Sequence, residues 1–392
     1  MGRITTTVAE RSYTLNVLEP RTRGDLYQAV LIAQLIDELT SEALRGQPRI
    51  STGVAGARPR YAQDGVAGLA GVPTRLFPRL DAQAYPLDVT FEIDGFVPLT
   101  VDPTPSLPIR PTFPADFDGI DLGPLTLRRR PIVLTPRTIQ LDPQHRPIAV
   151  PFARAWISGI WRTAKDILSS APSPAANLVS FGPALYAARP QPATTIDAVT
   201  MTPAVEPDRH LLLDVGPGER RLVVDRGGGL PNGAIVGIDR GDVDRVEHIR
   251  VDTVTAPSDP DSPAVLDLAF AVRNRHHASA PVHRVTPSAP TPLATLVDDG
   301  RPGDVTLFVN STVSFGPGAM DVQITGGTSA AEYGTCSRYR VTTDGQGYGA
   351  LPPLSRVAAV EVSGALGALT STPLRVTPDY RVFETRADVT LA

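Results

Sequence analysis

Four carboxylates crowd one short stretch of this chain: Asp239, Asp242, Asp244 and Glu247, arranged around Gly241. Calcium takes about six to eight oxygen ligands, and a turn bearing spaced carboxylates can supply several of them. The spacing departs from the EF-hand pattern, so a polar hairpin tip is the competing reading. Three histidines, His276, His277 and His283, could meet at a metal only if a loop folded back, and neither a second cysteine nor an HExxH-type helix supports such a site. Cys336 is the one cysteine. It excludes an internal disulfide and reads as a small core hydrophobe on a strand rather than a nucleophile. Gly227-Gly228-Gly229 lacks the lysine of a phosphate loop and runs into the turn Leu230-Pro231-Asn232-Gly233. No Gly-x-Ser-x-Gly elbow occurs, and Ser180-Phe181-Gly182 is not one. A glycosidase-type carboxylate pair would be spatial, and nothing among the 41 acidic residues singles one out. Trp156, Trp161 and Tyr186 suit either a sugar platform or core packing. No catalytic residue and no cofactor is therefore assigned.

The elements that would have to position such groups are mainly β. Pro217-Gly218-Glu219 opens a segment continuing through Leu222-Val223-Val224 to Gly233-Ala234. Pro302-Gly303-Asp304 opens another, through Leu307-Phe308-Val309 to Gly318-Ala319, about 85 residues on and in register. After a one-residue slip Ile238 aligns with Ile324, and Glu247-His248 with Glu332-Tyr333. A module that repeats turns and apolar strands, and no reactive residue, reads as a building or interaction unit.

Composition sets the frame. The chain has 392 residues, 40 prolines, 33 glycines and a net charge of −4. Proline and glycine spread along the chain mark many turns and short strands, and the length asks for several modules. The charge provides no field for nucleic acid. No apolar stretch is long enough for a membrane span, and the N-terminus lacks the apolar core of a signal peptide, so a cytoplasmic protein is expected. The expected fold is several small β-sandwich or β-barrel-like modules in tandem with one N-terminal amphipathic helix. An N-terminal strand and helix occupy 1–49, a β-sandwich 50–101, a Pro-rich connector 102–126 and a second β module 127–170. A Pro/Ala-rich linker follows at 171–206, then β repeats at 207–286 and 291–368, and a strand segment at 369–392.

Within that scheme, Leu26, Val30, Leu35 and Leu39 line the apolar face of a helix over 24–45, which packs on the first sheet or meets another subunit. Arg128-Arg129-Arg130 reads as a solvated edge or an inter-subunit ion-pairing site. The tail strand carrying Val389 and Leu391 either closes a sheet of an earlier module or pairs with a neighbour. Phe91-Glu92-Ile93-Asp94-Gly95-Phe96 and Pro151-Phe152-Ala153-Arg154-Ala155-Trp156-Ile157 resemble carboxypeptidase-regulatory-like, prealbumin-type β-sandwiches. The segment Leu230-Pro231-Asn232-Gly233 with Ile238-Asp239, followed by Glu247, Val251 and the strand Leu266–Phe270, resembles β modules of phage-tail-like contractile injection systems. That resemblance implies a structural component at a cap, baseplate or fibre attachment. It also implies other particle subunits as partners and a homo-oligomer or ring. A surface- or carbohydrate-binding adhesin is the alternative.

Overall fold

Along Val89–Glu92, Val89 and Phe91 are buried while Thr90 and Glu92 are not, the two-residue period of a half-wet strand. The chain turns at Asp94-Gly95 and returns as Leu99–Val101, antiparallel to it. Gly95 sits at φ +84, and a Cβ there would stand 2.7 Å from the carbonyl oxygen of Tyr380. Glycine thus serves both the left-handed turn and the close approach of a distant loop. The computed structural model to which these strands belong describes residues 3–8, 11–16, 27–28, 31–52, 58–62, 64–70, 72–73, 89–101, 120–169, 171–174, 177–240, 245–255, 259 and 261–392. Most of the Pro-rich connector lies outside them.

The expected N-terminal helix is replaced by a strand. Leu31–Asp37 pairs in parallel with Ile120–Leu127 and antiparallel with Val66–Ala70. Leu31, Ala33, Leu35, Phe91 and Leu127 form one core between this sheet and the sheet holding Val89–Glu92. Ile32 packs on the other side against Val66 and the hairpin carrying Tyr13 and Leu15. A strand buried on both faces is apolar almost throughout, and such a run can mimic a helical stripe. Leu35 and Leu39 are therefore buried within their own chain instead of lining a helix face, and Leu26 and Val30 lie outside the described residues. Among the described residues the only helix is Ala164–Ser169.

A second sandwich joins residues far apart in sequence. Val133–Leu141 pairs antiparallel with Pro147–Ala149 and in parallel with Glu384–Thr390. The facing sheet centres on Arg154–Trp161 and Ala359–Leu366. Leu134, Ile157, Val360, Val362, Val389 and Leu391 share the core between them. The tail thus closes an earlier sheet, and Val389 and Leu391 are core residues rather than an edge left for a partner.

The repeats form two lobes, and their boundaries differ from the linear division. In the first lobe, residues 209–286, Arg221–Val224 and Glu247–Thr255 both pair with Ala264–Leu268, while Ile235–Ile238 pairs with Glu247–Thr255 and with Pro281–Pro287. In the second lobe, Thr306–Phe308, Met320–Thr325 and Glu332–Arg338 take the matching places. Its last two strands, Leu178–Gly182 and Thr195–Ala198, come from upstream of the first lobe. Residues 171–206, expected as a linker, thereby supply a third, partial copy of the unit, and the second lobe ends near Arg338. Loop hydrogen bonds repeat as well. His210 N–H donates to Asp225 and Thr295 N–H to Asn310, each with the reciprocal backbone bond. Each lobe has its own core, around Val236, Ile249 and Leu266 in one and Phe181, Ile324 and Cys336 in the other. His248 pairs with Tyr333 to join them into one sheet.

Candidate functional site: a buried ionic seam and an arginine-lined cleft

The strand positions that align Glu247 with Glu332 place both side chains inside the protein, at 0% and 1% exposure. A carboxylate so deprived of water needs donors in compensation. Glu332 receives the N–H of Tyr186 at 2.6 Å, the N–H of Ala187 at 3.0 Å and Nε of Arg189 at 2.9 Å. Arg189, itself 0% exposed, also donates from Nη1 to the carbonyl of Gly326 at 2.7 Å. Burial raises the Glu332 carboxyl above its ordinary range, against the pull of Arg189.

Glu247 repeats this arrangement one lobe away. It receives the N–H of Arg273 at 2.9 Å and of Asn274 at 2.6 Å, and contacts Nε2 of His276 at 3.0 Å. Its last acceptor is used across the seam: the Tyr186 hydroxyl donates to Glu247. In return Arg273 donates from Nη2 to the carbonyl of Leu185 at 2.6 Å. The Arg273 guanidinium lies 5.2 Å from the Tyr186 ring centroid, and that ring stacks on Phe270 at 5.2 Å. Burial, then the charge of Glu247, raises the Tyr186 phenol, so it stays a donor. Both carboxylates are saturated, and neither described cleft is lined by these residues. The arrangement pins two lobes together and leaves no open position for a reactant.

The other candidate residues are spent in similar ways. Of the calcium set, Glu247 is consumed as above, Asp239 faces Nδ1 of His276 at 3.5 Å, and Asp242 and Asp244 lie outside the described residues. No group of three or more metal-type ligands occurs among the described residues. His276, His277 and His283 diverge, the last two facing Asp214 and Asp208. Cys336 is buried, and burial pushes its thiol up, away from the thiolate. The three arginines act within the chain. Arg128 donates to the carbonyl of Pro302 at 2.7 Å, Arg129 pairs with Asp37 beneath the rings of Phe96 and Tyr380, and Arg130 donates to the carbonyl of Phe96 at 2.8 Å. They tie the N-terminal sandwich to the second lobe and the C-terminal loop. Trp161 is buried, whereas Trp156 is only partly so.

Sequence inspection aligned Glu247 with Glu332 but missed what holds them, because Tyr186, Arg189 and Arg273 follow no shared residue type. It also missed an open cleft of about 630 Å³ between the second sandwich and the second lobe. Arg154, Trp156, Arg340 and Thr342 of the second sandwich and Arg338, Thr312 and Pro317 of the second lobe line it. No carboxylate lines it. No helix among the described residues is long and apolar enough to cross a membrane. No protein-family model matches this chain, and neither a curated protein nor a solved structure does.

Proposed function

We propose that this chain is a non-enzymatic structural component of a phage-tail-like contractile injection particle, made in the cytoplasm and acting by assembly with other particle subunits at a cap, baseplate or fibre attachment. The observation that carries the reading is the use of its strongest chemical groups. Among the described residues, the buried carboxylates, the buried arginine and the buried histidine are bonded to the protein's own loops, and Tyr186 and Arg273 carry those bonds from one lobe to the other. A rigid multi-lobe β scaffold suits fixed spacing between neighbours, and the resemblance of the first lobe to β modules of such particles supplies the class of particle. A surface- or carbohydrate-binding role is the second reading, favoured by Trp156 standing part-exposed among arginines.

Mass photometry of the purified chain, alone and after co-expression with the products of neighbouring genes, tests the first reading. A defined ring, or incorporation into a large particle, is the expected result. A monomer that joins nothing overturns it.

A further inference from the structure

We infer that the arginine-lined cleft is a docking site for an extended acidic peptide segment of a neighbouring subunit, which adds a strand to the edge Arg340–Thr342. This rests on the assembly reading and names the contact by which assembly would occur.

The argument begins with strand register. Arg340–Thr342 pairs with Arg154–Trp161 such that Thr342 faces Arg154, Val341 faces Ala155 and Arg340 faces Trp156. The N–H of Ile157 donates to the carbonyl of Tyr339, and the N–H of Thr343 to that of Ala153. In an antiparallel ladder the bonded pairs alternate. Tyr339, Val341 and Thr343 therefore spend their backbone groups inward, while the N–H and C=O of Arg340 and Thr342 point away from the sheet. No other strand pairs with this outer edge among the described residues. An unpaired edge of this kind is a template for another strand.

The same register sorts the side chains. Val341 packs against the sandwich core and Ala155 is fully buried. Arg154, Trp156, Arg340 and Thr342 therefore share the opposite face, with directly facing pairs about 4.5–5.5 Å apart at Cβ. Arg154 and Arg340 are exposed and make no ion pair among the described residues. Arg338 stands beside them and donates to the carbonyls of Thr312 and Val313, while its Nε is buried without a partner. Three guanidinium groups without a carboxylate, in a chain of net charge −4, select a negatively charged occupant. The open backbone groups select one that brings its own amides. An alternating acidic strand meets both demands, its carboxylates falling on the arginine face at every second residue.

The test uses the full chain and fluorescence anisotropy with a labelled peptide of alternating Glu and Val, set against an alternating Lys–Val peptide and a soluble polyuronate. The acidic peptide is expected to bind, more weakly as salt rises, and the basic one not. The double substitution Arg154→Glu, Arg340→Glu is expected to weaken binding at least tenfold. Thr342→Pro removes one outward N–H that no bond among the described residues uses and is expected to weaken peptide binding severalfold with an unchanged unfolding midpoint. Failure of the acidic peptide to bind overturns the inference. Polyuronate binding that is as tight as the peptide's and indifferent to Thr342→Pro also overturns it, in favour of an acidic glycan site. Mass photometry of the double variant separates the two proposals: assembly that persists unchanged removes the cleft from the contact and leaves the assembly reading standing.

Discussion

The two lobes solve one problem with different residues. In each, a glutamate at the start of a strand turns inward and receives two successive amide N–H groups from a loop that returns beneath it. The side chain that completes the site is Arg189 in the second lobe and His276 in the first. A guanidinium offers five donors in a rigid fork. Arg189 can thus satisfy Glu332 and still hold the carbonyls of Gly326 and Ala330 in its own loop. An imidazole has two nitrogens, so Glu247 keeps an acceptor to spare, and Tyr186 reaches over from the other lobe to use it. The carboxylate-to-loop bond is what the fold requires. The choice of that side chain decides whether the site closes on itself or links to its neighbour.

The largest effect should come from the self-contained site. Glu332→Ala leaves Arg189 buried and uncompensated, which costs about 3–5 kcal/mol. Urea unfolding at pH 7 measures it, and a loss below about 1 kcal/mol would mean that the arginine is reached by water. Tyr186→Phe should come next, since the ring stack on Phe270 survives while Glu247 loses one donor. Hydrogen bonds to charged groups contribute about 1.5–3 kcal/mol. The lobes should also begin to unfold at separate midpoints, and a single shared midpoint would show that the link is not the hydroxyl.

The smallest effect concerns the pair across the seam, His248 and Tyr333. Burial holds the His248 ring below its ordinary range, so the folded protein keeps it neutral while the unfolded chain protonates near pH 6.5. Stability is then complete above about pH 6.5 and declines as pH falls through the window beneath it, by at most about 1.4 kcal/mol per pH unit. The Tyr333 phenol, raised by burial, is neutral throughout that window. His248→Gln should flatten the decline between pH 7 and 5.5 in urea titrations, and an unchanged slope would place the proton elsewhere.

Much of the β architecture was readable because turns carry their own chemistry. Pro217-Gly218 and Pro302-Gly303 announced the repeat, and the alternation at 89–92 announced a half-buried strand. The partial third copy at 178–198 stayed hidden because its equivalence to 264–286 lies in backbone bonding, and Tyr186 and Arg189 stand where the other lobe has Arg273 and His276. The strand Leu31–Asp37 read as helix because its apolar run fits both periods, and only its parallel partner Ile120–Leu127 decides. The cleft had no signature at all, since Arg154 and Arg340 are brought together by a ladder between distant segments.

The order in which strands find their partners has a consequence for synthesis. The first lobe is contiguous and can close soon after residue 286 leaves the ribosome. Leu178–Gly182, made earlier, must wait for Thr306–Phe308 and Glu332–Arg338, and Val133–Leu141 waits more than two hundred residues for Glu384–Thr390. Closing such long loops is slow, and strands held open in the meantime can pair with the wrong neighbour. The contiguous units, the N-terminal sandwich and the first lobe, can therefore close before the second lobe and the second sandwich. A chain stalled after the first lobe has emerged but before Glu332–Arg338 has would hold that lobe beside the unpaired strands Leu178–Gly182 and Val133–Leu141, the form on which a chaperone has most to do.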